Sequence, residues 1–397
     1  MILLRHRWFY LSCLAAFTAG HMVNYSVIIY AQEVVRSDLL SGIGFGLCFG
    51  PPLVLGWYAG VLCDRLAPGR LIQAAQALFM LAACLLWLAD RGVAGASSRV
   101  PLLVAAAALA GVGWSFVSPA RMAALGQIAR SDELKPASVI FNLLVMLGFG
   151  LAPVAIALLR RNWGWPGVFG GAALLLAASS LALLAVPTQR SERPHQPVLA
   201  DIRDGLAAVQ ALPLLGQLML AAMAGYLAMG PMTVLLPKLA ATQLGMDELQ
   251  RGAFLGTLAL SLIAGGLLAL FVTRRVHHGH AIFTATIVAG LALAALGSAH
   301  GARVAVALLC AVGVSGGLAL SLIVAGIQAS AAAPVRGRVV GMYTIISQVV
   351  PAASGVAAGA LVQAFGIGTA LRVCGASLAA IMLVGASRMT ALRQHRG

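Results

Sequence analysis

The chain has 397 residues, of which 61% are apolar and only 9% are charged, whereas about a quarter of the residues in a soluble domain are charged. This composition excludes a water-soluble globular protein and indicates a membrane protein. The formal net charge of +15 would suit nucleic acid, but the basic residues lie in the short polar segments between apolar runs. We therefore expect the lipid bilayer, and not nucleic acid, as the partner.

Twelve apolar runs approach the length of about 20 residues that crosses a bilayer. Each is predicted to be a helix, because a backbone in lipid has to satisfy its own hydrogen bonds. The first run lacks a small-residue cleavage site, so we interpret it as a span and not as a signal peptide. The predicted spans are 8–30, 39–62, 71–89, 100–120, 137–159, 167–187, 212–236, 253–272, 281–299, 303–327, 339–363 and 368–387.

The distribution of Lys and Arg predicts the topology. If the N-terminus is cytoplasmic, 17 of the 26 basic residues fall on the inner side, as the positive-inside rule requires. We therefore expect a multi-pass protein of a bacterial inner membrane with both termini in the cytoplasm.

The longest polar interval lies at the middle of the chain and divides the spans into two sets of six. It predicts an N-terminal bundle at 1–187, a cytoplasmic linker at 188–211 and a C-terminal bundle at 212–397. Within the linker, residues 201–211 are expected to form a short surface helix. The fold class is accordingly an all-α membrane protein with twelve transmembrane helices in two pseudo-symmetric six-helix bundles.

The first span carries unusual polar residues. His21 and Asn24 are three residues apart and share one face of the helix with Phe17 and Ile28. A polar side chain inside a membrane suggests function, and histidine titrates near neutral pH. The structural alternative for His21 is a hydrogen bond to a neighbouring helix. Glu33, near the outer end of this span, is either functional or a solvated loop acid.

A charged turn follows the second span, with the sequence Gly60-Val-Leu-Cys-Asp64-Arg65-Leu-Ala-Pro-Gly69-Arg70. It resembles the cytoplasmic loop between the second and third helices of the major facilitator superfamily. Three further stretches resemble the enterobactin-exporter and macrolide-efflux branch of that superfamily. They are Ser118-Pro119-Ala120-Arg121, Leu235-Leu236-Pro237-Lys238-Leu239-Ala240 and Arg336-Gly337-Arg338-Val339-Val340-Gly341-Met342-Tyr343.

The fifth span contains Gly148-Phe-Gly150-Leu-Ala152-Pro153. It is similar to the Gly-x-x-x-Gly-Pro motif of proton-coupled antiporters, with Ala152 in place of the second glycine. The alternative interpretation of Pro153 is a kink that packing tolerates.

The resemblance implies a secondary transporter that works by alternating access, with a cavity between the two halves near the bilayer midplane. It implies an inner gate made of Gly60, Asp64, Arg65, Gly69 and Arg70, in which Arg121 interlocks with the Asp64 loop and stabilises the inside-closed state. For Arg121 the alternative is a positive-inside anchor. Further candidates for the cavity wall are polar or flexible side chains in the spans, any of which could simply bond a helix carbonyl: Asn142, Met146, Tyr226, Thr233, Ser315, Ser321, Thr344 and Gln348.

No motif indicates catalysis or a cofactor. The six cysteines are scattered without a CxxC pair or metal-ligand spacing, and the sequence contains neither a Walker loop nor an HExxH motif. We therefore predict no catalytic residues, no metal and no cofactor, and we do not expect an enzyme.

The function predicted from these features is export of a small organic molecule by a monomeric carrier, with protons as the coupling ion. We expect proton coupling to use His21, Glu33, Asp38 or Asp64, because no other acid lies in a predicted span; otherwise the carrier is not proton-coupled. Arginines near both mouths favour an anionic or metal-chelating cargo such as a siderophore. The alternatives are a lysophospholipid flippase, a multidrug pump of the macrolide type and, more remotely, a membrane-embedded enzyme or a receptor.

Overall fold

The computed structural model describes residues 2–93, 95–130, 133–190, 198–272, 277–332 and 335–395. These residues form helices and short connections, with no strand among them. The chain divides into two compact units. Unit 1 comprises Met1–His195 with Asp247–Gly256, and unit 2 comprises Gln196–Met246 with Thr257–Gly397.

Unit 1 begins with a one-turn helix that leads directly into the first long helix. Its helices are α1 (Ile2–Arg5), α2 (Arg7–Glu33), α3 (Asp38–Phe49), α4 (Pro52–Arg65), α5 (Pro68–Arg91), α6 (Arg99–Ile128) and α7 (Leu134–Leu184).

Unit 2 contains the remaining helices, apart from the first turns of α11, which belong to unit 1. They are α8 (Val198–Ala211), α9 (Pro213–Tyr226), α10 (Met229–Lys238), α11 (Glu248–Val272), α12 (His278–Leu296), α13 (Ala302–Ser330), α14 (Arg336–Phe365), α15 (Ile367–Arg388) and α16 (Thr390–Gln394). The expected surface helix is present as α8 and starts three residues before the predicted position.

Eleven helices among the described residues are long and apolar enough to cross a membrane. One of them, Pro136–Leu184, covers 49 residues and contains the predicted fifth span and all but the last three residues of the predicted sixth span. Gly164 interrupts it with a φ of 63° and a ψ of −162°, a conformation that residues with a Cβ rarely adopt. When the parts of this helix before and after Gly164 are counted as two crossings, the described residues contain twelve crossings. The predicted fold class is therefore confirmed.

Two other predicted spans are each built from two helices. The second span consists of α3 and α4, which are separated at Gly50 and Pro51. Proline has no backbone N–H and clashes with the preceding turn, so α4 restarts there with Pro52 in its first turn. The seventh span is divided into α9 and α10 by Leu227 and Ala228.

The two units use the same helix pairings, each within itself. In unit 1, α5 packs on α6 and on α7, while α2 packs on α7. In unit 2, the corresponding contacts are α12 with α13, α12 with α15, and α10 with α14. The third span thus pairs with the fourth and sixth as the ninth does with the tenth and twelfth. This correspondence is the pseudo-symmetry expected from the sequence.

The unit boundaries differ in detail from the predicted domain limits. Residues 247–256 are grouped with unit 1, and the linker helix α8 is grouped with unit 2. In unit 2, α8 packs on α14, where a Cβ on Gly205 would lie 3.1 Å from the Met342 sulfur. The functional division into 1–187, 188–211 and 212–397 stays a prediction.

The first span lies at the centre of unit 1. In its apolar window 89% of the residues are buried, against 33–67% in the other spans. Small residues allow neighbouring helices to approach it closely. At Gly148 of α7, a Cβ would lie 2.7 Å from the Phe17 Cβ and 2.8 Å from the Phe17 carbonyl carbon. The absence of a side chain at Gly148 therefore sets the distance between α2 and α7.

This contact predicts that Gly148→Ala destabilises the protein, because the new methyl group meets backbone atoms that cannot move aside. We expect a cost of about 1–3 kcal/mol, typical of overpacking in a core. The measurement is the melting temperature of the purified protein in detergent. The matched control is Gly170→Ala on the same helix, where a Cβ meets nothing within 4 Å. Equal melting temperatures for the two variants would contradict the packing role of Gly148.

Candidate functional site

One face of α2 carries a stripe of large side chains into the centre of unit 1. Phe17, His21 and Tyr25 recur at intervals of four residues, so they lie one above the other on that face. Their exposed fractions are 1%, 7% and 2%. Phe17 and His21 belong to the stripe predicted from the sequence, and its other members, Asn24 and Ile28, are also buried; Tyr25 was not predicted.

Aromatic rings from two other helices enclose His21. The centroid of its ring is 4.8 Å from that of Trp114 on α6 and 5.2 Å from that of Phe149 on α7. Phe149 also lies 5.7 Å from Tyr25, and Trp114 stacks on Phe17 at 6.3 Å. Sequence reasoning missed both enclosing residues, although Phe149 is inside the quoted Gly148–Pro153 motif.

Several buried polar atoms in or near this aromatic enclosure have no hydrogen-bond partner among the described residues. They are His21 Nε2, both amide atoms of Asn24 and Trp114 Nε1, and all of them are buried. Most buried polar groups in proteins are paired, so each exception requires an explanation. The hydrogen bond to a neighbouring helix, which was the structural alternative for His21, is not formed at Nε2. The free hydrogen-bonding capacity makes this enclosure the candidate cargo site.

Gln76 on α5 is a further buried amide that sequence reasoning missed. It is 0% exposed, and neither of its amide atoms has a partner in the described residues. It lies one turn before Phe79, whose ring is 5.4 Å from that of Trp114. The signal in the sequence was a glutamine inside an apolar span.

Arg121 on α6 is completely buried within a span. Its two terminal nitrogens donate to Ser12 Oγ at 3.2 Å, to Cys13 Sγ at 3.2 Å and to Ser179 Oγ at 3.1 Å. The guanidinium also lies over the Phe17 ring at 5.7 Å. The described partners of this charge are neutral groups on α2 and α7, so Arg121 ties three helices together.

The predicted interlock between Arg121 and the Asp64 loop is not tested here, because the side chain of Asp64 lies outside the described part of the chain. The backbone of the loop is described and is short. Asp64 and Arg65 are the last two residues of α4, and α5 begins at Pro68. Gly60 therefore lies within α4, while Gly69 and Arg70 occupy the first turn of α5. The gate role of these residues stays a prediction.

Glu33 belongs to an ion-pair cluster at the end of α2. Arg160 of α7 donates to one carboxylate oxygen, and Arg251 approaches the other at 3.1 Å. Arg160 also lies 3.5 Å from Glu248 and 4.5 Å from the centre of the Trp165 ring. Both Glu248 and Arg251 belong to the first turns of α11, in unit 1. Glu33 is therefore compensated by two guanidiniums and is not an isolated loop acid.

A second ion pair anchors the start of α2. Arg5 lies 2.5 Å and His6 lies 3.5 Å from the carboxylate of Glu133, which precedes α7. Burial acts to raise the pKa of Glu133, but hydrogen bonds from the Arg130 N–H and His6, with the charge of Arg5, hold it below its usual value. The carboxylate is thus ionised at neutral pH and keeps the two segments joined.

In unit 2, Tyr226 of α9 and Tyr343 of α14 share a hydrogen bond of 2.7 Å between their hydroxyl groups. Tyr343 was quoted as part of a motif but was not chosen as a site residue. The Thr344 hydroxyl donates a hydrogen bond to the carbonyl of Val340. This bond to a carbonyl of its own helix is the structural alternative given above for the cavity-wall candidates. Gln348 lies one turn further along α14, while Asn142 is exposed on α7 of unit 1. Their roles in the cavity wall stay predictions.

The antiporter-like segment is part of the buried face of α7. Gly148 contacts α2, Ala152 is 0% exposed, and α7 continues as a helix through Pro153. The contact with α2 gives Gly148 a packing role, while an antiporter role for the segment stays a prediction. In the described residues, no group of three or more His, Cys, Asp or Glu side chains is placed to hold a metal ion.

The surroundings of Arg121 predict an asymmetric mutational response. Replacing Ser12 and Ser179 together with Ala leaves a buried charge without its main acceptors, at an expected cost of about 3–5 kcal/mol. Arg121→Met removes the charge, while Ser12 and Ser179 still bond each other at 2.9 Å, so we expect a smaller loss. The measurement is the melting temperature, with Ser138→Ala as the control, whose hydroxyl bonds only a carbonyl of its own helix. The reverse order of stabilities would contradict the pairing described above.

Comparison with solved structures gives many proteins of the same fold at low sequence identity. A bacterial homologue of the human lysosomal transporter Spinster, in an inward-facing and unoccupied conformation, has a TM-score of 0.74 at 14% identity over 98% of this chain and 97% of that one. A D-xylose–proton symporter has a TM-score of 0.75 at 13% identity over 96% of both chains. A POT family transporter in complex with 5-aminolevulinic acid has a TM-score of 0.74 at 12% identity over 98% and 96%.

By sequence, no curated protein matches the chain. The sequence profile of the Major Facilitator Superfamily, in contrast, matches residues 8–355. This match covers most of the chain and includes the first eleven predicted spans, except the last residues of the eleventh. It agrees with the helix pairings of the two units and with the solved structures of similar fold. The protein therefore belongs to the major facilitator superfamily and is a secondary transporter.

Proposed function

We propose that the protein exports a small organic molecule across the bacterial inner membrane by alternating access, with a siderophore as the first candidate cargo and protons as the coupling ion. The observation that carries this proposal is the set of unpaired polar atoms of His21 and Asn24 inside an aromatic enclosure. Polar groups in a membrane interior are costly, and transporters use them for cargo or ions.

The position of His21 along α2 supports this role. Ser12 and Glu33, which bond charged partners, are separated by about 32 Å at 1.5 Å per residue. This distance is close to the hydrocarbon thickness of about 30 Å. His21 lies between them, about 14 Å from Ser12, and so falls near the bilayer midplane, where carriers of this type bind their cargo.

The chemistry of the enclosure favours a cargo with rings and hydrogen-bonding groups. The faces of Trp114, Phe149 and Tyr25 offer stacking surfaces, and the free imidazole and amide atoms offer donors and acceptors. None of the described residues that form the enclosure is an acid, which favours a neutral or anionic molecule over a cation. A metal-chelating siderophore with aromatic groups meets these requirements.

His21 is also the best candidate for the coupling group. An imidazole can accept and release a proton, and the ring nitrogen Nε2 of His21 has no hydrogen-bond partner among the described residues. Two of the candidate carboxylates have described side chains. Glu33 is already compensated by Arg160 and Arg251, and Asp38 lies in the first turn of α3, where the helix N-terminus stabilises a negative charge. We therefore assign proton exchange to His21 and structural pairing to Glu33.

The lysophospholipid flippase and the macrolide-type efflux pump remain the alternative functions. Both are compatible with the resemblance at Ser118–Arg121, and an aromatic enclosure can bind an acyl chain or a macrocycle. A membrane-embedded enzyme or a receptor is the remote alternative. Measuring which compound a deletion strain retains or fails to secrete distinguishes the siderophore from the alternative cargoes. The pH dependence of transport by His21 variants tests the role of His21 in proton coupling.

Deleting the gene from its host is expected to lower secretion of the siderophore while its synthesis continues, so that siderophore accumulates inside the cells. The measurement is the siderophore content of medium and cytoplasm in the deletion strain, the wild type and a strain complemented in trans. Unchanged secretion excludes the siderophore assignment. Altered lysophospholipid composition of the two leaflets, or increased sensitivity to macrolides, would instead support one of the alternatives.

Replacing His21 is expected to remove the pH dependence of transport. In everted membrane vesicles, His21→Ala should lower transport at least about tenfold. This factor corresponds to the loss of one hydrogen bond between His21 and the cargo, with a free energy of about 1.4 kcal/mol. His21→Asn retains polar atoms but does not titrate, so it should transport with a flat pH profile. The control is His300→Ala, which removes an exposed histidine outside the spans. Wild-type pH dependence in His21→Ala would disprove the coupling role.

A further inference from the structure

A cleft of about 730 Å³ opens where α4 ends, α5 begins and the segment after α7 passes. All of its lining residues belong to unit 1. Its volume lies within the range of about 300–1,000 Å³ that is usual for ligand pockets. By the predicted topology, this end of the unit faces the cytoplasm. The cleft is separate from the aromatic enclosure of His21.

Hydrogen bonds hold the walls of the cleft in place. The Gly69 N–H donates to Thr188 Oγ1 at 3.0 Å, and Gln73 Nε2 donates to the Ser180 carbonyl at 2.9 Å. Gln189 exchanges two hydrogen bonds with Gln127, at 2.8 Å and 3.0 Å. The segment that follows α7 is therefore fixed against α5 and α6, and the cleft is a built feature of unit 1.

Three guanidiniums line this cleft, from Arg65, Arg70 and Arg190. All three side chains are exposed, and none makes an ion pair with another described residue. The described lining contains no Asp or Glu. Arginine side chains that converge without a carboxylate are suited to bind a phosphate group, because the planar fork donates two parallel hydrogen bonds to its oxygens.

The other wall of the cleft is apolar and continues onto the lipid-facing side of α7. Leu183, Leu184 and Val186 line it, and Leu184 is 76% exposed. One turn earlier, Leu181 is 68% exposed on the same helix. The membrane-crossing part of α7 ends at Leu184. Cationic groups thus lie directly beside exposed leucines at the membrane boundary.

We propose that this cleft binds the phosphate headgroup of an anionic phospholipid from the inner leaflet, with its acyl chains along the exposed leucines of α7. Basic pockets at the cytoplasmic ends of spans attract the negatively charged headgroups of such lipids. A free phosphate anion shares the headgroup chemistry but makes no use of the leucines. Because Arg65 and Arg70 belong to the predicted inner gate, the bound lipid acts on the same helix ends as the gate.

Native mass spectrometry of the full-length protein in detergent tests this proposal. The probes are dioctanoyl phosphatidylglycerol, dioctanoyl phosphatidylcholine with the same chains but a zwitterionic headgroup, and inorganic phosphate alone. We expect phosphatidylglycerol to bind more tightly than either of the other two. In the double variant Arg70→Gln/Arg190→Gln, its affinity should fall at least about tenfold, since two cationic contacts are lost.

The matched control is Arg388→Gln, which removes an exposed arginine at the end of α15, on the same predicted side of the membrane. If this control lowers phosphatidylglycerol binding as much as the double variant does, binding depends on net charge and the proposal is wrong. Inorganic phosphate binding as tightly as phosphatidylglycerol would assign the cleft to a soluble anion. If the double variant does not fold, the salt dependence of lipid binding to the wild-type protein tests the proposal. Salt should weaken the binding of phosphatidylglycerol but not the binding of phosphatidylcholine, and equal salt dependence of the two would contradict the proposal.

Discussion

A bilayer offers no hydrogen-bond partner to a buried charge, so the protein itself has to provide every partner of Arg121. Ser12, Cys13 and Ser179, on two different helices, accept hydrogen bonds from its two terminal nitrogens, while its Nε has no partner among the described residues. The helices α2 and α7 consequently have to stay close to α6, and α2 is enclosed on several sides. The burial of α2, the close approach at Gly148 and the enclosure of His21 are all consistent with this arrangement of three helices around one guanidinium.

The helix α2 then acts as an axis on which polar groups occur at three levels. Ser12 lies at one end beside Arg121, and Glu33 lies at the other end between Arg160 and Arg251. Midway, His21 Nε2 and both amide atoms of Asn24 have no hydrogen-bond partner among the described residues. Paired groups at the ends hold the helix in place, while unpaired groups in the middle can bind a cargo or a proton. If His21 has the proposed role, structure and transport depend on the same span.

The sequence was sufficient for the fold, because the membrane imposes a simple rule on composition and length. Eleven apolar helices are found where spans were predicted, and the bend at Gly164 accounts for the twelfth crossing. Local breaks were harder to predict. Neither the restart of the second span at Pro52 nor the interruption at Leu227 changes the hydropathy, because both positions lie within apolar runs.

The candidate site was predicted only in part. A polar residue in a span is visible in a sequence, and so His21, Asn24 and Arg121 could be selected as candidates. Their neighbours depend on contacts between distant helices, which hydropathy and motif spacing do not report. Trp114, Phe149 and Gln76 appear in the sequence as ordinary residues of apolar runs and acquire meaning only from their packing. Glu33 illustrates the opposite case, because its partners Arg160 and Arg251 are 127 and 218 residues away.

The central claim is that a proton gradient drives cargo through this protein without ATP. The most direct measurement uses proteoliposomes that contain the purified full-length chain, an imposed pH gradient and a radiolabelled siderophore. The account predicts that siderophore accumulates against its own concentration gradient on the acidic side and that a protonophore abolishes the accumulation. Siderophore movement that only equilibrates the two sides, or that ignores the pH gradient, would contradict it.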